Sequence, residues 1–515
     1  MRMPSTFAVL SSIVLGGWLT GATAQNVGFD APNVLNPAQD EQAADRGDLP
    51  VGTIPEPTVD VPGLVTGITL GELYTDNLTL APSGSPKQTS WITQIQPFLK
   101  WAGSSPRFAG LVHYRMTGYL YPGKAKHNQL AHYLIAQGKF TILPQHFFVD
   151  GAARYNREII NNQLSSGSGA FLLNNNQANV AMGTLSPYWI QDLDKVGTGM
   201  LRYTLGRVLY NDHGISGQNA TQLSGIPNIT SKAVQFSVVS PEDQIWGWNL
   251  GYTDQRIEPD FGRGIEYATA RLGISWQATN NTQLLADVGK ENQFLPDGTS
   301  RKLRASFWDV GFNWSNSRDH LKALVGHRFY GRSYEMSWAH TAALLTTALS
   351  YAEQPTDINQ QLLGQSLGQI TTLPVGISYI PSLRERQVYL MKRATASATY
   401  VMPRGNLRLS LYEERRTYFT LNNLREKIAN ADAAWQFDIG AFTTLTPTIG
   451  WQRYKFRNGQ INYSRYAQLE LVHQVNPNNF GSVRLRNSSR NVHSGIAGAH
   501  DYRLNMILVQ WTHLF

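Results

Sequence analysis

From residue 63 onward, hydrophobic and polar residues alternate in short segments separated by turn residues. In 107–121, Phe108, Gly110, Val112, Tyr114 and Met116 alternate with Leu111, His113, Arg115 and Thr117. In 301–315, Trp308, Val310, Phe312 and Trp314 alternate with Asp309, Gly311 and Asn313. In 406–416, Leu407, Leu409 and Leu411 alternate with Arg408, Ser410 and Tyr412. A period of two places alternate residues on opposite faces of a strand, and no helical period competes with it. The pattern predicts about 22 strands, from 64–75 to 500–515, an even number that suits a closed antiparallel barrel.

The connections alternate too. Tight turns such as Gly103-Ser104-Ser105-Pro106, Leu143-Pro144-Gln145 and Pro403-Arg404-Gly405 take turns with long stretches such as 76–88, 159–179, 210–229 and 353–386. Short periplasmic turns against long extracellular loops are the asymmetry of transmembrane β-barrels. The fold class expected is therefore all-β, a transmembrane antiparallel barrel over residues 63–515.

A charge facing lipid at mid-bilayer costs about 2–4 kcal/mol, so the polar face of each strand is assigned to the lumen. The lumen-lining candidates are Arg115, Arg202, Arg304, Asp309, Arg408, Glu470, Arg484 and Arg486. Two readings of this arginine bias stand open: bracing of the wall by pairing with lumenal acids, or a cationic lining that guides an anion or acidic polymer. Tyr119, Tyr121, Trp246, Trp248, Trp308, Trp314 and Trp338 are expected in an interfacial girdle. The last strand carries Trp511 and Phe515 on one face, the terminal-aromatic signal that closes an outer-membrane barrel.

Arg2, the apolar stretch Phe7–Leu19 and Ala22-Thr23-Ala24 read as a secretory signal peptide over 1–24. Residues 25–62 are acidic and Pro-rich, with net charge −6, and read as a disordered periplasmic lead. The body beyond them is basic, which suits polyanions or the phosphates of lipopolysaccharide equally. The chain has no cysteine, which excludes disulfides and Cys-based metal or nucleophile chemistry.

The residues carry a resemblance as well. Gly71-Glu72-Leu73-Tyr74-Thr75-Asp76-Asn77 resembles the E-x-Y-T-D-N opening of a bacterial family of outer-membrane barrels associated with PEP-CTERM/exosortase and exopolysaccharide loci. Phe307-Trp308-Asp309-Val310-Gly311-Phe312, Gly326-His327-Arg328-Phe329-Tyr330-Gly331, Ser350-Tyr351, Thr356-Asp357-Ile358-Asn359-Gln360-Gln361 and Val388-Tyr389-Leu390-Met391-Lys392-Arg393 follow in the family's order. The resemblance implies an outer-membrane porin-like barrel with a part in polysaccharide export, and supplies no catalytic residues.

No H-E-x-x-H, P-loop or G-x-S-x-G motif is present, so no enzyme, cofactor or metal is expected. His113, His132, His327 and His473 are candidate bases without a visible nucleophile. The loop 353–386 is more apolar than a free surface loop requires, so Leu362, Leu363, Leu367, Ile370 and Leu373 are gating candidates. The leading expectation is a passive exopolysaccharide export channel. The alternatives are a docking barrel closed by its own loops, which anchors surface polymer or protein, and a lipid- or sugar-modifying barrel enzyme. Expected partners are outer-membrane lipid and lipopolysaccharide, the barrel assembly machinery, and periplasmic export components with polysaccharide, without nucleic acid.

Overall fold

A computed structural model of the chain describes residues 63–123, 127–164, 169–173, 176–211, 226–241, 244–295, 301–366, 387–419 and 424–515. Residues 1–62, read from sequence as a signal peptide and an acidic lead, lie outside the described residues. Twenty-two strands follow one another, each antiparallel to the next. They are β1 (Gly63–Thr75), β2 (Ser90–Ser104), β3 (Phe108–Leu120), β4 (Gln129–Leu143), β5 (Phe147–Ile159), β6 (Gln177–Asp192), β7 (Thr198–Asn211) and β8 (Ile229–Val239). Then come β9 (Trp246–Pro259), β10 (Ile265–Thr279), β11 (Thr282–Leu295), β12 (Arg301–Ser315), β13 (Asp319–Arg328), β14 (Gly331–Thr341) and β15 (Leu345–Thr356). After the helix α1 (Ile358–Ser366) come β16 (Tyr389–Met402), β17 (Gly405–Tyr418), β18 (Arg425–Gly440), β19 (Thr443–Lys455), β20 (Ile461–Asn476), β21 (Asn479–His493) and β22 (Tyr502–Leu514).

The ring is closed. β22 pairs with β1 from Gly67↔Leu514 to Thr75↔Met506, and the Phe515 N–H donates to the Thr66 carbonyl at 2.9 Å. Trp511 and Phe515 point outward, as the alternation requires. The tight turns are built where the sequence places them. At Gly405, with φ of 137°, a Cβ would stand 1.9 Å from the Gln436 carbonyl oxygen, so the turn admits only glycine.

Large apolar side chains crowd the outer face, among them Trp91 (59% exposed), Leu272, Val310, Leu411 and Ile449. No helix among the described residues is long and apolar enough to cross a membrane; the strands do so. A closed barrel with an apolar exterior belongs to the outer membrane of a Gram-negative bacterium, because closure leaves no unpaired backbone in lipid.

Three assignments to faces need correcting. Arg304 shares the outward face of β12 with Trp308 and Val310, so it does not line the lumen. Tyr119 and Tyr121 turn inward and are buried, whereas Trp246 and Trp308 do face outward. Nor is the interior polar throughout: β22 presents Leu504, Met506 and Leu508 to the lumen. These apolar residues are tolerated there because segments of the chain fold in and cover them.

Candidate functional site at the extracellular mouth

Three connections on the long-loop side fold into the mouth. The one after β15 forms α1, where only loop was expected. Asp357 starts it: its Oδ1 accepts the N–H groups of Asn359 at 2.7 Å and Gln360 at 3.4 Å, an N-cap. Burial pushes the Asp357 carboxyl up from its ordinary value, against the bonds from the Asn359 backbone and the Tyr267 hydroxyl that pull it down.

From β15 the helix reaches across to pack on β5, β6 and β7, up to ten strands away around the ring. Ile358, Leu362 and Leu363 sink among Val180, Met182, Val208 and Ile257 of the far wall. Wall residues hold its polar side. Tyr267 donates to Asp357 at 3.0 Å, Tyr210 to Asn359 at 3.3 Å, and Gln360 and Gln361 donate to Gln255 at 2.9 Å and to Tyr389 at 2.7 Å. Of the gating candidates, Leu362 and Leu363 are thus in the mouth; Leu367, Ile370 and Leu373 lie outside the described residues.

The β5–β6 connection crosses the other way. Arg490 of β21 donates to the backbone carbonyls of Asn162 at 3.1 Å and Gln163 at 2.9 Å, and to that of Leu164. Gln460 also holds the Gln163 carbonyl, at 2.8 Å. Further on, Phe171 is buried against Leu73, Ile92 and Leu508, and its carbonyl accepts the Tyr121 hydroxyl. The third segment, β1–β2, buries Leu78 and Leu80 beside it. Asp76 accepts the backbone and side-chain N–H groups of Asn505 at 2.7 and 2.8 Å, and Asn77 donates to the Arg503 carbonyl at 3.1 Å. The Asp76-Asn77 pair therefore ties the first strand to the last at the outer end of the closing seam.

Below these segments the lumen wall is braced by buried ion pairs. Arg202 donates to Asp150 at 3.0 Å and lies over the Tyr188 ring; Arg484 donates to Glu470 at 2.9 Å. Asp309 accepts from Arg328 at 2.6 Å, with Glu291 at 3.5 Å and the Phe307 ring under the guanidinium. Glu414 gathers Arg393, Arg416 and Tyr412. Arg115 and Arg486 lie over the rings of Tyr133 and Tyr466. Of the candidate arginines, Arg202 and Arg484 thus pair with lumenal acids, whereas Arg115 and Arg486 stack on aromatic rings. Arg408 differs: it faces the lumen in the periplasmic half and is exposed to water.

The candidate histidines serve the wall. His132 bonds the Tyr114 hydroxyl at 2.8 Å and His473 bonds Thr443 at 2.9 Å, both on the outer face. His113 is half-buried beside Tyr133, and His327 faces outward. Among the described residues, no group of three His, Asp or Glu could hold a metal ion.

Sequence reading missed Asp357, Tyr267, Glu414, Arg416 and Arg490. A signal existed for one of them: Asp357-Ile358-Asn359-Gln360 has the D-x-x-Q form of a helix start. The sequence blocks that carry the resemblance fall at three places in the structure. They supply the seam (Asp76, Asn77), the Asp309–Arg328 pair, the helix (Asp357–Gln361) and its receiving Tyr389 and Met391.

No family model and no curated protein matches the chain. Among solved structures it is similar to the FrpB iron transporter from Neisseria meningitidis (F5-1 variant), at 10% identity and TM-score 0.48, covering 89% of this chain and 83% of that one. The siderophore receptor PirA from Acinetobacter baumannii aligns at 7% identity and TM-score 0.47, covering 87% of this chain and 80% of that one. A ferric enterobactin receptor from Pseudomonas aeruginosa, PfeA, aligns at 10% identity and TM-score 0.44, covering 88% and 82%. The exopolysaccharide export channel expected from sequence is not carried forward: no comparison points to polysaccharide export, and the barrels found are described as an iron transporter and siderophore receptors.

Proposed function

We propose that this chain is a gated receptor-type transport barrel, not an enzyme, which admits a small polar ligand from outside when its mouth segments release. The carrying observation is the way the mouth is shut. α1 and the 160–164 turn are held by Tyr210, Gln255, Tyr267, Tyr389 and Arg490 of the wall strands and by Gln460 of the β19–β20 connection, through separate hydrogen bonds. Each such bond contributes about 0.5–1.5 kcal/mol net, so the closure is firm in sum and breakable bond by bond.

The other end of the lumen is unlike this. In the periplasmic half of β15–β18, lumen-facing Ser350, Ser397, Arg408 and Gln436 are exposed to water. A passage hydrated from below and shut from above is a gate whose opening answers to what arrives outside. We further propose that the chain belongs with the PEP-CTERM-associated barrels it resembles, whose shared blocks would then be gate parts.

Planar-bilayer conductance of the full chain tests the gate. The intact barrel should be silent or flicker briefly, and the variant lacking 358–386 should conduct steadily. A steadily conducting intact chain, or a silent deletion variant that is correctly folded, would overturn the reading.

A further inference from the structure

At the extracellular ends of β16–β20 the outer face changes from apolar to basic at one height. Strand register puts Lys392, Arg415, Lys427 and Lys455 side by side on four neighbouring strands. Adjacent strands stand about 4.8 Å apart, so these cations form a continuous row. The next outward row toward the membrane holds Glu413, Ala429, Arg453 and Tyr463, and the one below it Leu411, Ala431, Trp451 and Arg465. Glu413 accepts from Arg415 at 2.8 Å and from Lys427 at 3.1 Å, and Glu353 from Lys392 at 3.0 Å. Six bases thus meet two acids on this face. Beneath them the wall is Leu409, Leu411, Ile449 and Leu469, all exposed to lipid.

The extracellular ends of β7–β10 are arranged otherwise. There Arg207 pairs with Asp260, Lys232 with Glu258 and Arg256 with Asp254, and Glu266 stands opposite Arg256. Charge balance is therefore available to this rim and is absent from one side of it. Like charges directly opposite across strands destabilise a sheet. A row of them facing outward at the edge of the apolar wall becomes favourable when an anion of the membrane surface sits on it.

We propose that the outer face of β16–β20 is a binding site for the phosphorylated glycolipid of the outer leaflet. Its phosphates would seat on the Lys392–Arg415–Lys427–Lys455 row, with Arg453 and Arg465 below, and its acyl chains would lie on the leucine and isoleucine wall. Arg415 supplies the planar donor fork that suits a phosphate, while the lysines supply point charge.

The test uses the full chain in phosphatidylcholine nanodiscs doped with bisphosphorylated lipid A, read by native mass spectrometry. The wild type should retain bisphosphorylated lipid A and lose most of that retention with the dephosphorylated lipid. Arg415→Glu/Lys427→Glu/Lys455→Glu should weaken retention about 100-fold. The gentler Arg415→Gln/Lys427→Gln/Lys455→Gln variant should weaken it about tenfold or more, and covers the case in which triple reversal does not fold. Lys232→Glu on the balanced side should change nothing. Equal retention of the dephosphorylated lipid, undiminished retention by the folded glutamine variant, or full displacement by millimolar inorganic phosphate would each overturn the proposal.

Discussion

Two regions of the lumen share the same alternation and yet solve opposite problems. Toward the outside, inward-facing positions of β6–β10 and of β1, β2 and β22 carry clusters of covered apolar residues, as at Val180, Val208, Leu73 and Leu508. Toward the periplasm, inward positions of β15–β18 are small or polar and open to water, as at Ser350, Ser397 and Arg408. A wall that is apolar inside as well as outside makes sense only where chain folds in to cover it. The difference therefore marks the outer half as a socket and the lower half as a passage.

The sharpest way to break this comparison is to remove the covering. Deleting 358–386 should expose Val180, Val208 and Ile257 and raise single-channel conductance by at least about tenfold, since a ring of this size is wide when empty. Next in size is the bracing beneath the socket. Arg328→Ala leaves Asp309 and Glu291 buried without their cation and should cost about 3–5 kcal/mol, read as a lower urea midpoint of the folded, heat-modifiable band.

A subtler break targets the cap. Asp357→Ala removes the N-cap and should loosen α1 by about 1 kcal/mol, seen as faster hydrogen exchange over 358–366; Asp357→Asn keeps the cap and should not. The same residue gives a pH dependence. Its carboxyl is raised in the folded state, so the proton it holds favours closure below the ordinary carboxylate value of about 4. That contribution is lost as pH rises through the raised value, so the protection of α1 relative to intrinsic exchange should fall toward neutrality, and Asp357→Asn should abolish that fall. The smallest effect is expected in the open half. Arg408→Glu should shift ion selectivity of the 358–386 deletion toward cations, whereas Arg486, stacked on Tyr466, should contribute little.

Much of the ring is legible in the alternation alone. Strand 301–315 is predicted to the residue, and 64–75 and 319–329 to within one, because a strand that must face lipid on one side cannot depart from period two. Arg304 shows where that logic fails: at the extracellular end of β12 the outward face has left the hydrocarbon, so a charge no longer identifies the lumen. The mouth is hardly legible at all. The loop's excess of apolar residues suggests that Leu362 is buried, but its far-wall contacts depend on ring curvature, which no local pattern encodes. Arg490 reads as one more wall arginine until 160–164 is seen lying under it.

The seam at Asp76 bears on how such a ring can be assembled without error. Because side chains repeat every second residue, a final strand that docks two residues out of place still turns its apolar face to lipid, and burial alone would scarcely penalise the mistake. The paired bonds from Asn505 to Asp76, and from Asn77 to the Arg503 carbonyl, exist in one alignment only. They act as a vernier mark, giving the two closing strands a means of distinguishing the correct alignment from its nearest plausible imitation.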